Sequence, residues 1–227
     1  VGFTGLLGDG RSALFQAIFV GDRRMTGTVE VLGRPERMTG TDKSLRLGIG
    51  YVPRNRKENG IVKDMSVLQN LSLVTLPRLT RLGLIDLRRE QSQGEKEIRD
   101  LRIKVEDVRL PIGSLSGGNQ QKVVLGKWLA ASPGIMIFDN PTQGVDVGAK
   151  EEIYDIISAL ADRGVAVVIL SSEAQEIIRV CDRALVMYHG KVRGELSGER
   201  LNEHTIMVLA TGGSLAAPGT EAEETTC

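Results

Sequence analysis

Leu115-Ser116-Gly117-Gly118-Asn119-Gln120-Gln121 is the stretch on which the reading of this chain turns. A serine, two glycines and a run of helix formers read as the start of a helix. Ser116 can cap the amide end, and the glycines leave that end uncovered, which makes an anion site. An ordinary N-cap behind a flexible lead-in has the same local form, so the surroundings have to decide. Downstream, a helical pattern over 119–131 leads to a buried strand at 135–138, a helix at 149–161 and a second buried strand at 165–170, the alternation of βαβ units. Upstream, residues 1–4 read as a strand, 5–10 as a glycine-rich turn and 12–19 as a helix. The fold class is α/β, with a mostly parallel central sheet.

Further strands are expected at 27–32 and at 49–52, the second stopped by Pro53, with Gly33 and Pro35 marking a turn. Charge and helical spacing rise between about 56 and 109, notably at 66–73 and 88–101, which reads as an inserted helical subdomain. A hairpin over 184–194 turns at His189 and Gly190, and a short helix follows near 202–209. The expected division is 1–55 for the first part of the core with a small antiparallel β portion, 56–114 for the helical insert, 115–210 for the rest of the core, and a disordered tail over 211–227. No methionine or leader precedes Val1, so the chain reads as cut from a longer one.

At 227 residues and 41% hydrophobic content the chain can bury a substantial core. Its 29 basic and 29 acidic residues cancel without forming blocks, which speaks against nucleic acid as a partner. The longest strongly apolar run, 165–170, falls far short of the ~20 residues a membrane helix needs. Cys181 and Cys227 form no metal-ligand cluster and fit a reducing compartment.

Gly5-Leu6-Leu7-Gly8-Asp9-Gly10-Arg11-Ser12 has the form G-x4-G-K-[ST], with arginine in the lysine position. Glycines there let backbone amides approach phosphate oxygens, so Gly5, Gly8, Asp9, Gly10, Arg11 and Ser12 are candidate nucleotide-binding residues, with the Ser12 hydroxyl directed to Mg²⁺. A tight strand-to-helix turn is the plainer alternative. Asp139 ends an apolar strand, as an aspartate that holds Mg²⁺ through water would; capping a loop is its plainer role. Asp146 can cap the helix beginning near Ala149 and can also face a partner domain.

The order of P-loop, helical insert, LSGG and apolar strand with Asp139 resembles an ABC-type ATPase, a P-loop NTPase. More narrowly, Gly10-Arg11-Ser12, Tyr51-Val52-Pro53, Arg56-Lys57-Glu58-Asn59-Gly60, residues 115–121, residues 141–150 and Ser171-Ser172-Glu173 resemble the C-terminal half of the fused, duplicated ATP-binding subunits of ribose-, galactose- or xylose-type monosaccharide importers. The match runs from 1 to about 194. The resemblance implies ATP and Mg²⁺ as ligands and head-to-tail pairing with the N-terminal half of the same subunit or with a second copy. It also implies a transmembrane permease as partner, no direct contact with sugar, and a cytoplasmic position on the inner face of the membrane. Ser116, Gly117, Gly118, Asn119 and Gln120 would then complete the partner's site, while Gly5 to Ser12 and Asp139 serve this half's own.

Four departures from the family pattern are expected to matter. Arg11 offers a planar fork where a compact ammonium is usual. Asn140 stands where a glutamate would polarise water, and an amide cannot act as a base. Ser172 replaces the lid-strand histidine, so Asn140 and Ser172 are altered catalytic positions, with Asp146 grouped beside them. Arg54 stands where glutamine or a carboxylate would meet the permease. The family's adenine-stacking aromatic would lie upstream of Val1. The expectation is an ATPase half with weak activity of its own. A soluble ABC ATPase of DNA maintenance or translation and a non-hydrolysing regulatory module are the alternatives.

Overall fold

The structure, a computed structural model, describes residues 1–215. In chain order its elements are β1 (Gly2–Gly5), α1 (Arg11–Val20), β2 (Val29–Val31), β3 (Arg34–Glu36), α2 (Thr41–Arg46), β4 (Ile49–Val52), a π-turn at Arg56–Gly60, α3 (Val67–Ser72) and α4 (Leu76–Leu79). There follow β5 (Thr80–Arg81), β6 (Leu84–Ile85), α5 (Leu87–Asp100), α6 (Gly117–Leu129), β7 (Ile135–Asp139), α7 (Val147–Asp162), β8 (Ala166–Ser171), α8 (Ala174–Val180), β9 (Arg183–Tyr188), β10 (Lys191–Ser197) and α9 (Glu203–Ala210). Contacts divide the described residues into one unit of 1–11 with 171–215 and a second of 12–170.

In the larger unit β4, β7 and β8 are parallel, with Ile49 opposite Ile135 and Phe138 opposite Ile169. These strands read as continuous apolar runs because both faces are covered, and Val52, Met136, Phe138, Ile169 and Leu170 are wholly buried. Phe19 of α1 stacks on Tyr51 at 5.2 Å between ring centroids and meets Trp128 edge-on at 5.6 Å. Lys127 is buried beside that ring, its Nζ donating to the Gly60 carbonyl, and burial pulls its pKa down to about 8. Pro35 lies inside β3 rather than in the turn before it; the two-stranded ribbon β2–β3 leaves its edge without a partner that needs the missing N–H.

The helical insert starts where side chains satisfy backbone. Ser66 Oγ accepts from Gln69 N at 3.1 Å and Gln69 Oε1 accepts from Ser66 N at 3.0 Å, a reciprocal cap on α3. Asp86 caps α5 through the amides of Arg88 and Arg89. Between them α4 and the hairpin β5–β6 hold a short segment in which Leu82 and Leu84 are exposed, as is Leu87 at the start of α5. Close packing of the insert depends on glycine: a Cβ on Gly126 of α6 would lie 2.8 Å from Leu71 Cδ2 of α3, and one on Gly94 of α5 would lie 2.3 Å from Leu68 Cδ1.

In the smaller unit β1 runs parallel to β9, and β10 returns antiparallel to β9 around His189 and Gly190, as the hairpin pattern led one to expect. α8 presses on β1 so closely that a Cβ on Gly2 would lie 2.9 Å from Ile177 Cδ1. Cys181, beside it, is buried, and burial pushes its thiol up to about 11. Asn202 caps α9 by accepting from Thr205 N at 2.9 Å. Past the helix, Thr211 donates to Met207 O and Gly212 O accepts from Arg193 Nη2; of the expected tail, residues 216–227 lie outside the described residues. Among the described residues no helix is long and apolar enough to cross a membrane.

Candidate functional site

The glycine loop follows β1 and runs into α1. Arg11, 2% exposed, is folded back inside it: Nη1 donates to Gly5 O at 3.1 Å and Leu6 O at 3.3 Å and pairs with Asp9 Oδ2. The Arg11 backbone amide donates to Asp9 Oδ1 at 3.0 Å, and the Asp9 amide to Leu6 O at 3.2 Å. Asp9 is itself buried and its carbonyl accepts from Gly190 N at 2.9 Å. Gly5 must be glycine, since its φ is 155° and a Cβ would lie 2.2 Å from Asp9 Oδ2. The loop therefore carries an anion of its own, and two of its amides and its one guanidinium are turned inward. Those inward bonds withhold the amides of Asp9 and Arg11 and the Arg11 Nη1 from the loop's outer face. Arg11 Nε is left buried without a partner. Gly8 is exposed at the rim, and Gly10 passes Gly190, whose Cα would be 3.6 Å from an added Cβ.

Ser12 Oγ donates to Asp139 Oδ1 at 2.8 Å, which joins the first turn of α1 to the end of β7. Asp139 is 3% exposed; its Oδ1 also accepts from Asn140 Nδ2 at 2.8 Å and its Oδ2 from Tyr51 OH at 2.9 Å. Burial, then the charge and hydrogen bond of Asp139, raise the Tyr51 phenol far above its ordinary value, so it stays a donor. Asn140 sits at φ 46°, a left-handed conformation asparagine tolerates, and its backbone N–H donates to Leu170 O at 2.7 Å. Adjacent hydroxyl and carboxylate oxygens are a donor set that suits Mg²⁺, which takes few protein ligands; among the described residues no cluster of three His, Cys, Asp or Glu side chains offers another metal site. Tyr51 was visible in sequence only as part of Tyr51-Val52-Pro53; nothing there announced its bond to Asp139.

The run 115–121 leads into α6 as expected, with Ser116 as N-cap. Ser116 Oγ accepts from Asn119 N at 3.5 Å and from Asn119 Nδ2 at 3.0 Å, and Asn119 Oδ1 accepts from Lys104 N at 2.8 Å. Gln120 points inward, its amide donating to Leu115 O at 3.0 Å. α6 and α7 start side by side: a Cβ on Gly118 would lie 2.6 Å from Ala149 Cβ. Asp146 caps α7 by accepting from Ala149 N at 2.9 Å. An open groove of about 300 Å³ lies here, lined by Ser116, Gly118, Asn119, Asp146 and the ion pair of Lys122 with Glu152 at 2.5 Å. The Lys122 hydrogen bond, with Lys104 nearby, lowers the Glu152 pKa.

Arg56 stood in the sequence only within the stretch around Arg54 to Gly60 expected near the permease; its contacts were not foreseen. It is 7% exposed, and its Nη1 and Nη2 donate to Gln143 O at 2.8 Å and Gly144 O at 3.0 Å. Burial lowers its pKa. Arg54, expected at the permease, is exposed and donates from Nε to Gln143 Oε1 at 2.9 Å. Ser172 is exposed, one residue past β8.

A glycine loop joined to a helix whose serine meets a buried strand-end aspartate, in a largely parallel α/β frame, defines a P-loop nucleotide-binding domain. The sequence profile of the ABC transporter family matches residues 1–143. The chain belongs to the ABC transporter family as an ATP-binding domain. It is 42% identical over 99% of its length to the ribose import ATP-binding protein RbsA 2 of Streptomyces coelicolor, covering 44% of that protein. It is 45% identical over 93% of its length to a putative ribose/galactose/methyl galactoside import ATP-binding protein of Agrobacterium fabrum, covering 42% of it. The chain thus spans less than half the length of these curated relatives. Its fold matches the ATP-binding cassette MJ0796 in a dimeric post-hydrolysis state with ADP and Pi, at a TM-score of 0.73 and 20% identity over 86% of this chain and 84% of that one. A nucleotide-free ATP-binding cassette from an ABC transporter matches at 0.73 and 22% identity over 88% and 81%.

Proposed function

We propose that this chain is one ATP-binding half of the energy-coupling subunit of a monosaccharide importer, impaired in its own nucleotide site and completing a neighbour's through Leu115 to Gly118. One contrast carries this reading: α6 begins with a formed Ser116 cap beside an open groove, whereas the Gly5 to Arg11 loop is closed on its own Asp9. Asn140 adds to it, because its amide is bound to Asp139 and cannot take a proton from water. The relatives' names, ribose and galactose import, support the substrate class, which is an argument by analogy.

Ser12 and Asp139 are the residues that would hold Mg²⁺, whose chemistry there is to neutralise phosphate charge. The neighbour is the N-terminal half of the same subunit or a second copy, the permease takes up the conformational change near Arg54, and this domain meets no sugar. Such a subunit works at the cytoplasmic face of the membrane. In the assembled transporter, Ser116→Arg should abolish transport-linked ATP turnover while Arg11→Ala changes it little. Ser116 is the better probe than Gly118, whose substitution would push Ala149 aside. Equal losses from the two variants would contradict the asymmetry.

A further inference from the structure

Arg56 is a buried cation that makes no ion pair among the described residues. Its guanidinium is held by two backbone carbonyls, Gln143 and Gly144, and its Nε has no acceptor at all. Burying a charge in this way is unfavourable unless something offsets it. Nevertheless the surrounding chain is shaped to admit it. A Cβ on Gly117 would lie 2.7 Å from Nη2, and one on Gly60 would lie 3.2 Å from Arg56 Cβ. Gly144, whose φ is 69°, turns the loop so that successive carbonyls face the two ends of the fork. Glycines from three separate segments thus surround one arginine.

The placement of the charge is informative. Arg56 sits behind the first turn of α6, at the end of that helix where the exposed amides already make a positive pole. A cation there works against the folded chain on its own. It becomes favourable once an anion approaches Ser116 to Gly118 from outside. At the same time its two carbonyl bonds hold it to the loop 143–146, which ends in the cap of α7, Asp146, so that the guanidinium is wedged between that loop and the first turn of α6.

From this geometry we infer that Arg56 is a positioning residue: it fixes the start of α6 and the loop before α7 as one rigid anion-facing edge, linking the segment after β4 to the nucleotide of the neighbouring half. The identity of that anion rests on the function proposed above, whereas the mechanical tie does not.

Two measurements separate these. In the intact chain, amide hydrogen exchange is compared in wild type, Arg56→Lys and Arg56→Ala. Exchange should quicken in Arg56→Ala both in residues 119–124 and in 143–150, and millimolar guanidinium chloride, but not ammonium chloride, should restore part of the protection. Quickening confined to residues 56–60, or none, overturns the tie. If Arg56→Ala does not fold, Arg56→Lys carries the same readout, because one ammonium cannot span both carbonyls. In the assembled transporter, Arg56→Ala should lower ATP turnover on the order of tenfold with KM for ATP nearly unchanged, again rescued by guanidinium. Unchanged turnover in Arg56→Ala, where Ser116→Arg abolishes it, overturns the link to the neighbour's nucleotide. If Ser116→Arg has no effect, the partner-site reading fails and the exchange result alone decides on Arg56.

Discussion

Replacing the usual P-loop lysine with Arg11 has consequences that depend on Asp9. A planar guanidinium whose Nη1 is bonded to Gly5 O and Leu6 O and paired with Asp9 is committed to the inside of its own loop. An incoming phosphate would have to displace a buried carboxylate two residues away, a charge-for-charge exchange with no net gain. Asp9→Asn keeps the acceptor for the Arg11 amide and removes the competing charge. Titration calorimetry should then show tighter binding of ATP or pyrophosphate to Asp9→Asn than to wild type; equal or weaker binding would show that Asp9 does not hold the loop shut. The sequence alone revealed the arginine and its misfit. It did not reveal the partner, since an aspartate within G-x4-G reads as a loop residue until its carboxylate is found inside.

Among the elements, the long and strongly patterned ones were legible from sequence: β4, β7, β8, α6 and α7 lie within two residues of their expected positions, each announced by a continuous apolar run or by a cap. α2, α4 and α8 were not anticipated, and short helices of this kind owe their form to packing rather than to local preference. The π-turn at Arg56–Gly60 likewise depends on the loop it grips. The helical insert illustrates how element packing constrains single residues. Gly126 has α3 and α5 against it, so Gly126→Val should lower unfolding stability by about 1–3 kcal/mol through overpacking. Denaturant titration checks this, and an unchanged midpoint would mean that Leu71 and Leu101 yield freely.

On the scale of the whole molecule, the even balance of charge in the sequence hides buried groups that titrate with folding. Lys127 is held below its ordinary value, at about 8 against 10.5. Between those values the unfolded chain binds more protons than the folded one, so folding stability contributed by this group rises with pH from about 8 towards 10.5. Cys181 acts in the opposite sense above 9, where the folded thiol keeps its proton up to about 11. The difference in unfolding free energy between wild type and Lys127→Met should therefore grow in favour of wild type from pH 8 to 10, and a difference independent of pH would place Lys127 in water. None of this was legible in sequence, where Lys127 is one lysine among 29 basic residues.

Family membership, by contrast, was legible early, because the glycine loop, residues 115–121 and Asp139 are local patterns whose order alone is specific. What escaped was the set of contacts that joins distant segments, Tyr51 with Asp139 and Arg56 with Gln143 and Gly144. The chamber around Arg56 has a consequence for substitution at the glycines that line it. A Cβ at Gly117 would lie 2.7 Å from Arg56 Nη2, one at Gly60 would meet Arg56 Cβ and Val124 at 3.2 Å, and Gly144 is held to glycine by its φ of 69°. Of the three, Gly117 alone is closed by the guanidinium itself, so its tolerance for a side chain is coupled to Arg56 and that of the other two is not.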